Sequence, residues 1–220
     1  MSDVLTARQR MVDCQVRPSD VTDLRIIEAM LAIPREAFVP SDRRALAYLD
    51  RDIDVGTVAG RDFLIQPAVL AKMIQAAEIA ATDRVLVTGC ATGYAAAVAA
   101  RLAAQVFAVA STEEMAATAR TALTGAGAGN VTVSVGPAGE GDAAHGPYDV
   151  IVMNGATEVE PKKLYQQLNV GGRLVGVFAN SRPSRATLVT HSPSDYGSRA
   201  LFDAVVPTLP GLERVPAFRF

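Results

Sequence analysis

The run VLVTGCATGYAAAV at residues 85–98 constrains the fold more than any other stretch of the chain. An apolar, β-branched segment at 85–88 ends in a turn spaced G-x-A-x-G, at Gly89, Ala91 and Gly93, and alanine-rich helical sequence follows. A strand that turns on glycines into a helix lets backbone come close to a ligand, as nucleotide-binding α/β proteins do at their cofactor sites. A turn that needs glycines only for close helix–strand contact would use the same residues, so the flanking pattern has to decide.

That pattern is alternation. From residue 84 onward, apolar β runs at 85–88, 106–110, 131–135 and 150–153 are separated by helical sequence after Gly93 and from Thr112, then by glycine-rich loops. Apolar strands between helices imply a mostly parallel twisted sheet with helices on both faces, a Rossmann-like α/β fold. After a short helix near residues 162–168 and the run GGRLVGVF, the segments ATLVTHS and RALFDAVV read as two antiparallel strands added at one edge. The first 82 residues are helical instead. TARQRMVDCQV and DVTDLRIIEAMLAI carry apolar residues at helical spacing, with Asp20 or Thr22 as cap of the second, and Pro34 ends it. A short helical stretch follows at 45–49, then an irregular segment to residue 60, then a helix from Pro67. The expected organisation is one domain over 1–220, with a helical lobe at 1–82 and the sheet core at 83–220.

Composition narrows the function classes. With 220 residues, 50% hydrophobic, 20% charged and a net charge of −2, the chain can bury a core of ordinary size. No basic stretch exceeds Arg43–Arg44, which argues against nucleic acid and against a membrane surface. The charged start MSDVLTARQR lacks the apolar centre of a secretion signal, so a cytoplasmic location is expected. Cys14 and Cys90 have no C-x-x-C partner or histidine cluster, which excludes a structural zinc or disulfide framework.

Several segments together resemble one family, the protein-L-isoaspartate (D-aspartate) O-methyltransferases, in which S-adenosylmethionine methylates the isoaspartyl carboxyl of damaged proteins. They are ARQRMVDCQV, VTDLRIIEAM, IPREAFVP followed by ALAYLD, LIQPAVLAKM, GCATGYAAAVAA, PYDVIVMNGA and LYQQLNVGGRLV, in family order across nearly the whole chain. The resemblance implies S-adenosylmethionine as cofactor and isoaspartyl-containing proteins or peptides as partners. It places the cofactor at Gly89, Cys90, Ala91, Gly93, Ala110, Ser111, Gly136 and Pro137.

Residue by residue, the family's acids and hydroxyl are replaced at these positions. Val87 stands where members carry glutamate before the glycine turn, Ala91 where the middle glycine stands, and Ala110 where a glutamate holds the ribose. Gly136-Pro137-Ala138 replaces G-D-G, and Pro137 has no N–H to offer an adenine. Ile65 occupies the place of the serine beside the transferred methyl group, which leaves no catalytic side chain to carry over; Gln66 and Pro67 read as structural. Three lost acids at about 1.5–3 kcal/mol each forfeit roughly 4–9 kcal/mol, enough to weaken a micromolar ligand to about millimolar. Neighbours such as Asp62, Glu113 or Asp142 could restore part of it. Cofactor binding is therefore expected to be weak or absent. A divergent methyltransferase with rebuilt contacts and a non-catalytic binding or interaction module are the two readings.

Of the remaining candidates, Ser111-x-x-Glu114 reads as a capping box, and His145 and His191 as exposed side chains without a motif partner. Cys90 is either a reactive thiol at a helix start or a small buried residue. Asp149 reads as structural, and Lys162, Lys163, Arg182 and Arg185 as solvated surface or a site for an acidic partner.

Overall fold

The computed structural model describes residues 2–56 and 61–214. Residues 57–60, the end of the expected irregular segment, lie outside the described residues. The N-terminal part contains α1 (Ser2–Met11), a single wide turn and a short 3₁₀ turn, and α2 (Leu24–Ala32). It continues through 3₁₀ turns to the antiparallel two-residue strands β1 (Ile53–Asp54) and β2 (Phe63–Leu64), then α3 (Pro67–Ala77). Asp23 caps α2, its side chain accepting from the Arg25 N–H at 2.9 Å, in place of the expected Asp20 or Thr22. Those two residues are held from outside the segment: Gln75 donates to the Asp20 carbonyl and accepts from the Thr22 N–H. The short helical stretch expected at 45–49 lies earlier, as a 3₁₀ turn over Ser41–Leu46.

The second part alternates as the sequence implies. It runs β3 (Arg84–Thr88), α4 (Tyr94–Ala100), β4 (Gln105–Ala110), α5 (Glu113–Gly125), β5 (Val131–Val135), β6 (Tyr148–Thr157), α6 (Lys162–Tyr165), β7 (Leu168–Phe178), β8 (Arg185–His191) and β9 (Tyr196–Asp203). The strand order is β5-β4-β3-β6-β7-β8-β9, parallel from β5 through β7 and antiparallel at β8 and β9. β3 lies inside the sheet between β4 and β6, so chain order reverses beside it and opens a crevice at the strand carboxyl ends.

The two-residue period of the strands sorts the core. Val85, Val87, Val106, Ala108 and Ala110 face one way and join α3, α4, α5 and the N-terminal helices in one apolar cluster. Leu86, Phe107, Val109, Ile151 and Met153 face the other way, where α6 and the segment bearing Leu209 and Leu212 cover them. No helix among the described residues is long and apolar enough to cross a membrane.

Candidate functional site

The glycine turn sits where the crevice opens. Gly89 and Gly93 have φ of +61° and +98°, and Ala91 shares this left-handed conformation at +49°. Ala91 thus holds a conformation that costs a non-glycine residue roughly 1–2 kcal/mol. Three residues hold the path of the turn through four hydrogen bonds. The Cys90 N–H donates to the Val109 carbonyl at 3.0 Å, Thr92 Oγ1 to the Phe38 carbonyl at 2.6 Å, and Asn154 Nδ2 to both the Gly89 and Phe63 carbonyls at 2.8 and 2.9 Å.

A cavity of about 340 Å3 opens beside the turn, at the small end of the range for ligand sites. Gly89, Val109 and Ser111 line it, together with Gly136, Pro137 and Ala138 after β5 and the segment Leu209, Pro210 and Gly211. Asp62, the residue before β2, supplies its carboxylate, and Ser111 Oγ donates to Asp62 Oδ2 at 2.8 Å. Burial raises the Asp62 carboxyl above its ordinary value, the Ser111 donor pulls it back, and Asp54 adds a further upward push.

Leu209 covers the turn itself. A Cβ built on Gly89 would clash with Leu209 Cδ2, and one on Gly155 would stand 2.7 Å from Leu209 Cγ. The leucine thus lies in a notch made by two glycines. Backbone bonds keep it there: the Leu209 N–H donates to the Ala156 carbonyl at 2.9 Å, the Ala156 N–H to Pro207 at 2.8 Å, and the Glu158 N–H to Leu212 at 2.8 Å.

Of the eight positions assigned to the cofactor by resemblance, the cavity brings together Gly89, Ser111, Gly136 and Pro137. Cys90, Ala91, Gly93 and Ala110 are buried behind the surface and shape it without lining it. Val87 is wholly buried in the core. Ile65 is 1% exposed and off the cavity, its carbonyl held by Arg35 Nη2 at 2.9 Å, so position 65 presents nothing to a ligand. The segment at 209–211 carried no sequence signal, and Asp62 appeared only as one of three acids near the motifs.

Three readings of individual residues change, those of Ser111, His145 and His191, and for Cys90 the buried alternative holds. Ser111 does not cap α5: Thr112 does, accepting from the Met115 N–H at 3.1 Å, and Ser111 is thereby free to bind Asp62. Cys90 is wholly buried and its thiol is pushed up to about 12 by burial, which removes the reactive reading. His145 is exposed but does have a partner, Nδ1 lying 2.9 Å from Asp142 Oδ2 with the ring stacked on Phe107. His191 is partly buried, its Nδ1 3.0 Å from the Leu168 carbonyl and its ring stacked on Tyr196. Asp149 is structural as expected, accepting from the Arg84 N–H and Asn169 Nδ2. Lys163 pairs with Glu140 and Arg185 with Asp203, at exposed positions. Among the described residues no cluster of side chains could hold a metal ion.

Residues 7–193 match the family model described as protein-L-isoaspartate(D-aspartate) O-methyltransferase (PCMT). The chain is 40% identical over 168 residues to the protein-L-isoaspartate O-methyltransferase of Koribacter versatilis, covering 76% of this chain and 74% of that one. It is 34% identical to protein-L-isoaspartate O-methyltransferase 2 of Geotalea uraniireducens, over 90% of this chain and 89% of that one. A solved protein-L-isoaspartate O-methyltransferase superposes with a TM-score of 0.82 at 25% identity, over 94% of this chain and 67% of the other. A Plasmodium falciparum protein described as a beta-aspartate methyltransferase, in complex with S-adenosyl-L-homocysteine, shares the fold at a TM-score of 0.78 and 14% identity, over 92% and 97% of the two chains.

Proposed function

Because the chain belongs to the protein-L-isoaspartate(D-aspartate) O-methyltransferase family, we propose that it binds S-adenosylmethionine and methylates isoaspartyl carboxyls of damaged proteins or peptides. The observation that carries this reading is the cavity at the carboxyl ends of β3, β4 and β5, bordered by the glycine turn at the point where strand order reverses. The residues present fit the nucleoside end of the cofactor best. Val109, Pro137 and Ala138 offer apolar walls to a flat base, and Asp62 with Ser111 offers polar groups to a sugar.

When bound, the cofactor supplies an electrophilic methyl group on a sulfonium sulfur. The isoaspartyl carboxylate is itself the nucleophile, so the chain has only to position the acceptor and exclude water. Gly89, Ser111, Gly136 and Pro137 border the cofactor, while Cys90, Ala91, Gly93 and Ala110 fix the backbone behind it. Leu209, Pro210 and Gly211 complete the lining of the cleft, with Leu209 buried over the turn. The free thiols Cys14 and Cys90 fit a reducing, cytoplasmic setting.

A second reading rests on Leu209 and Ile65. A leucine seated on Gly89 and a buried isoleucine that does not line the cavity both favour a non-catalytic member that keeps the fold as a binding module. Incubation with methyl-labelled S-adenosylmethionine and an isoaspartyl peptide separates the two. Base-labile label on the peptide, absent with the matching aspartyl peptide, supports the enzyme. No transfer, with S-adenosylhomocysteine binding no tighter than about millimolar, supports the module.

A further inference from the structure

We propose that Asp62 is the acid that binds the vicinal hydroxyls of a ribonucleoside in this cleft, entering from the N-terminal part of the chain in place of the acid that β4 lacks. The inference rests on the reading of the cleft as the cofactor site and names the residue that makes it work.

Folds that turn on glycines from strand to helix hold a ribose with an acidic side chain about twenty residues after the first glycine, at the end of the next strand. Here that position is Ala110, which is wholly buried and has no acceptor to offer. The residue after it, Ser111, does line the cavity, and its hydroxyl is given to Asp62 Oδ2 at 2.8 Å. A carboxylate therefore stands at the end of β4 after all, delivered across 49 positions of sequence.

The surroundings of Asp62 suit ligand binding better than a purely structural role. It is 8% exposed, lies in a cavity, and among the described residues no cation pairs with it. Among the described residues a single hydroxyl donates to this carboxylate; burial on so few donors is costly, and a pair of sugar hydroxyls supplies more. Ser111 fixes one oxygen of the carboxylate and can accept from a hydroxyl in turn. The rest of the lining is mostly apolar and Pro137 brings no N–H, so the base is held by shape while the diol carries the directed bonds. The ligand class is a ribonucleoside with both hydroxyls free.

The test is calorimetric titration of wild type and Asp62→Asn with S-adenosylhomocysteine, adenosine and 2′-deoxyadenosine. Wild type is expected to bind adenosine at least tenfold more tightly than 2′-deoxyadenosine. Asp62→Asn is expected to bind adenosine about ten- to hundredfold more weakly and to lose most of that discrimination. A purely structural Asp62 would lower the melting temperature without changing the ratio between the two nucleosides. Asp62→Asn that keeps the wild-type affinity and ratio overturns the proposal while leaving the cofactor reading intact. Wild type that binds S-adenosylhomocysteine but is indifferent to the 2′-hydroxyl does the same without any variant. Wild type that binds none of the three overturns both.

Discussion

Leu209→Ala is the perturbation that best probes how the turn is covered. Leu209 is 7% exposed, so truncation strips three nearly buried carbons from the Gly89–Gly155 notch, worth roughly 2–3 kcal/mol at about 0.8 kcal/mol per methylene. The notch already borders an open cavity, so no sealed void adds to the loss, and the cost belongs at the low end of the roughly 2–5 kcal/mol range for such truncations. At about 2–4 °C per kcal/mol for a chain of this size, the melting temperature should fall by about 4–12 °C. Binding should move the opposite way. A ligand that reaches Gly89 must first unseat the leucine, and relieving it of that cost should raise S-adenosylhomocysteine affinity by about tenfold or more. Melting curves with and without S-adenosylhomocysteine read both effects in one experiment: a lower starting point and a larger ligand-induced rise than in wild type. A variant that melts within a degree of wild type and gains no more from ligand would refute the idea that Leu209 is seated on the turn.

Two further outcomes follow from burial. Cys14 is exposed whereas the Cys90 thiol is buried and pushed up to about 12, so a thiol reagent at neutral pH should modify one cysteine in the native protein and the second only after unfolding; two rapid modifications would show that the turn is open. Burial first, and Asp54 to a lesser degree, raise the Asp62 carboxyl above 3.8 against the pull of Ser111, so the folded chain holds that proton more tightly than the unfolded one. Stability should then fall as pH rises from about 3.8 through the raised value, and Asp62→Asn should remove that fall. Denaturant melts across this range would show the variant gaining on wild type with pH; a constant difference would sink the argument.

The alternation that builds β3, the turn and α4 is local, which is why the sheet and the place of the crevice could be read from residues 85–98 and their neighbours. Ala91 was legible as the replacement of a glycine, and its left-handed conformation came only with the structure. What could not be read were choices between adjacent residues settled by distant partners. Ser111 and Thr112 are both plausible caps by spacing, and only the arrival of Asp62 from 49 positions away assigns the cap to Thr112. Asp20, Thr22 and Asp23 all meet Gln75 through their backbone, 52 to 55 positions away, and of the three it is the Asp23 side chain that accepts from the Arg25 N–H. The role of Leu209 depends on glycines 120 and 54 positions earlier, a relation that no periodicity encodes.

The bonds of Asn154 have a kinetic meaning as well as a geometric one. A single amide, 3% exposed, ties the end of β6 to the Gly89 carbonyl 65 positions back and to the Phe63 carbonyl 91 positions back. Contacts of such span form late in folding, after the entropy of closing long loops has been met. The cleft should accordingly mature last, and in native-state hydrogen exchange the turn, β2 and the end of β6 should open together as one cooperative unit. The sheet half of the chain, cut free of its N-terminal partner, would then keep its strands but not a competent cleft, which makes the catalytic or binding unit indivisible even though the sheet itself begins only at residue 84.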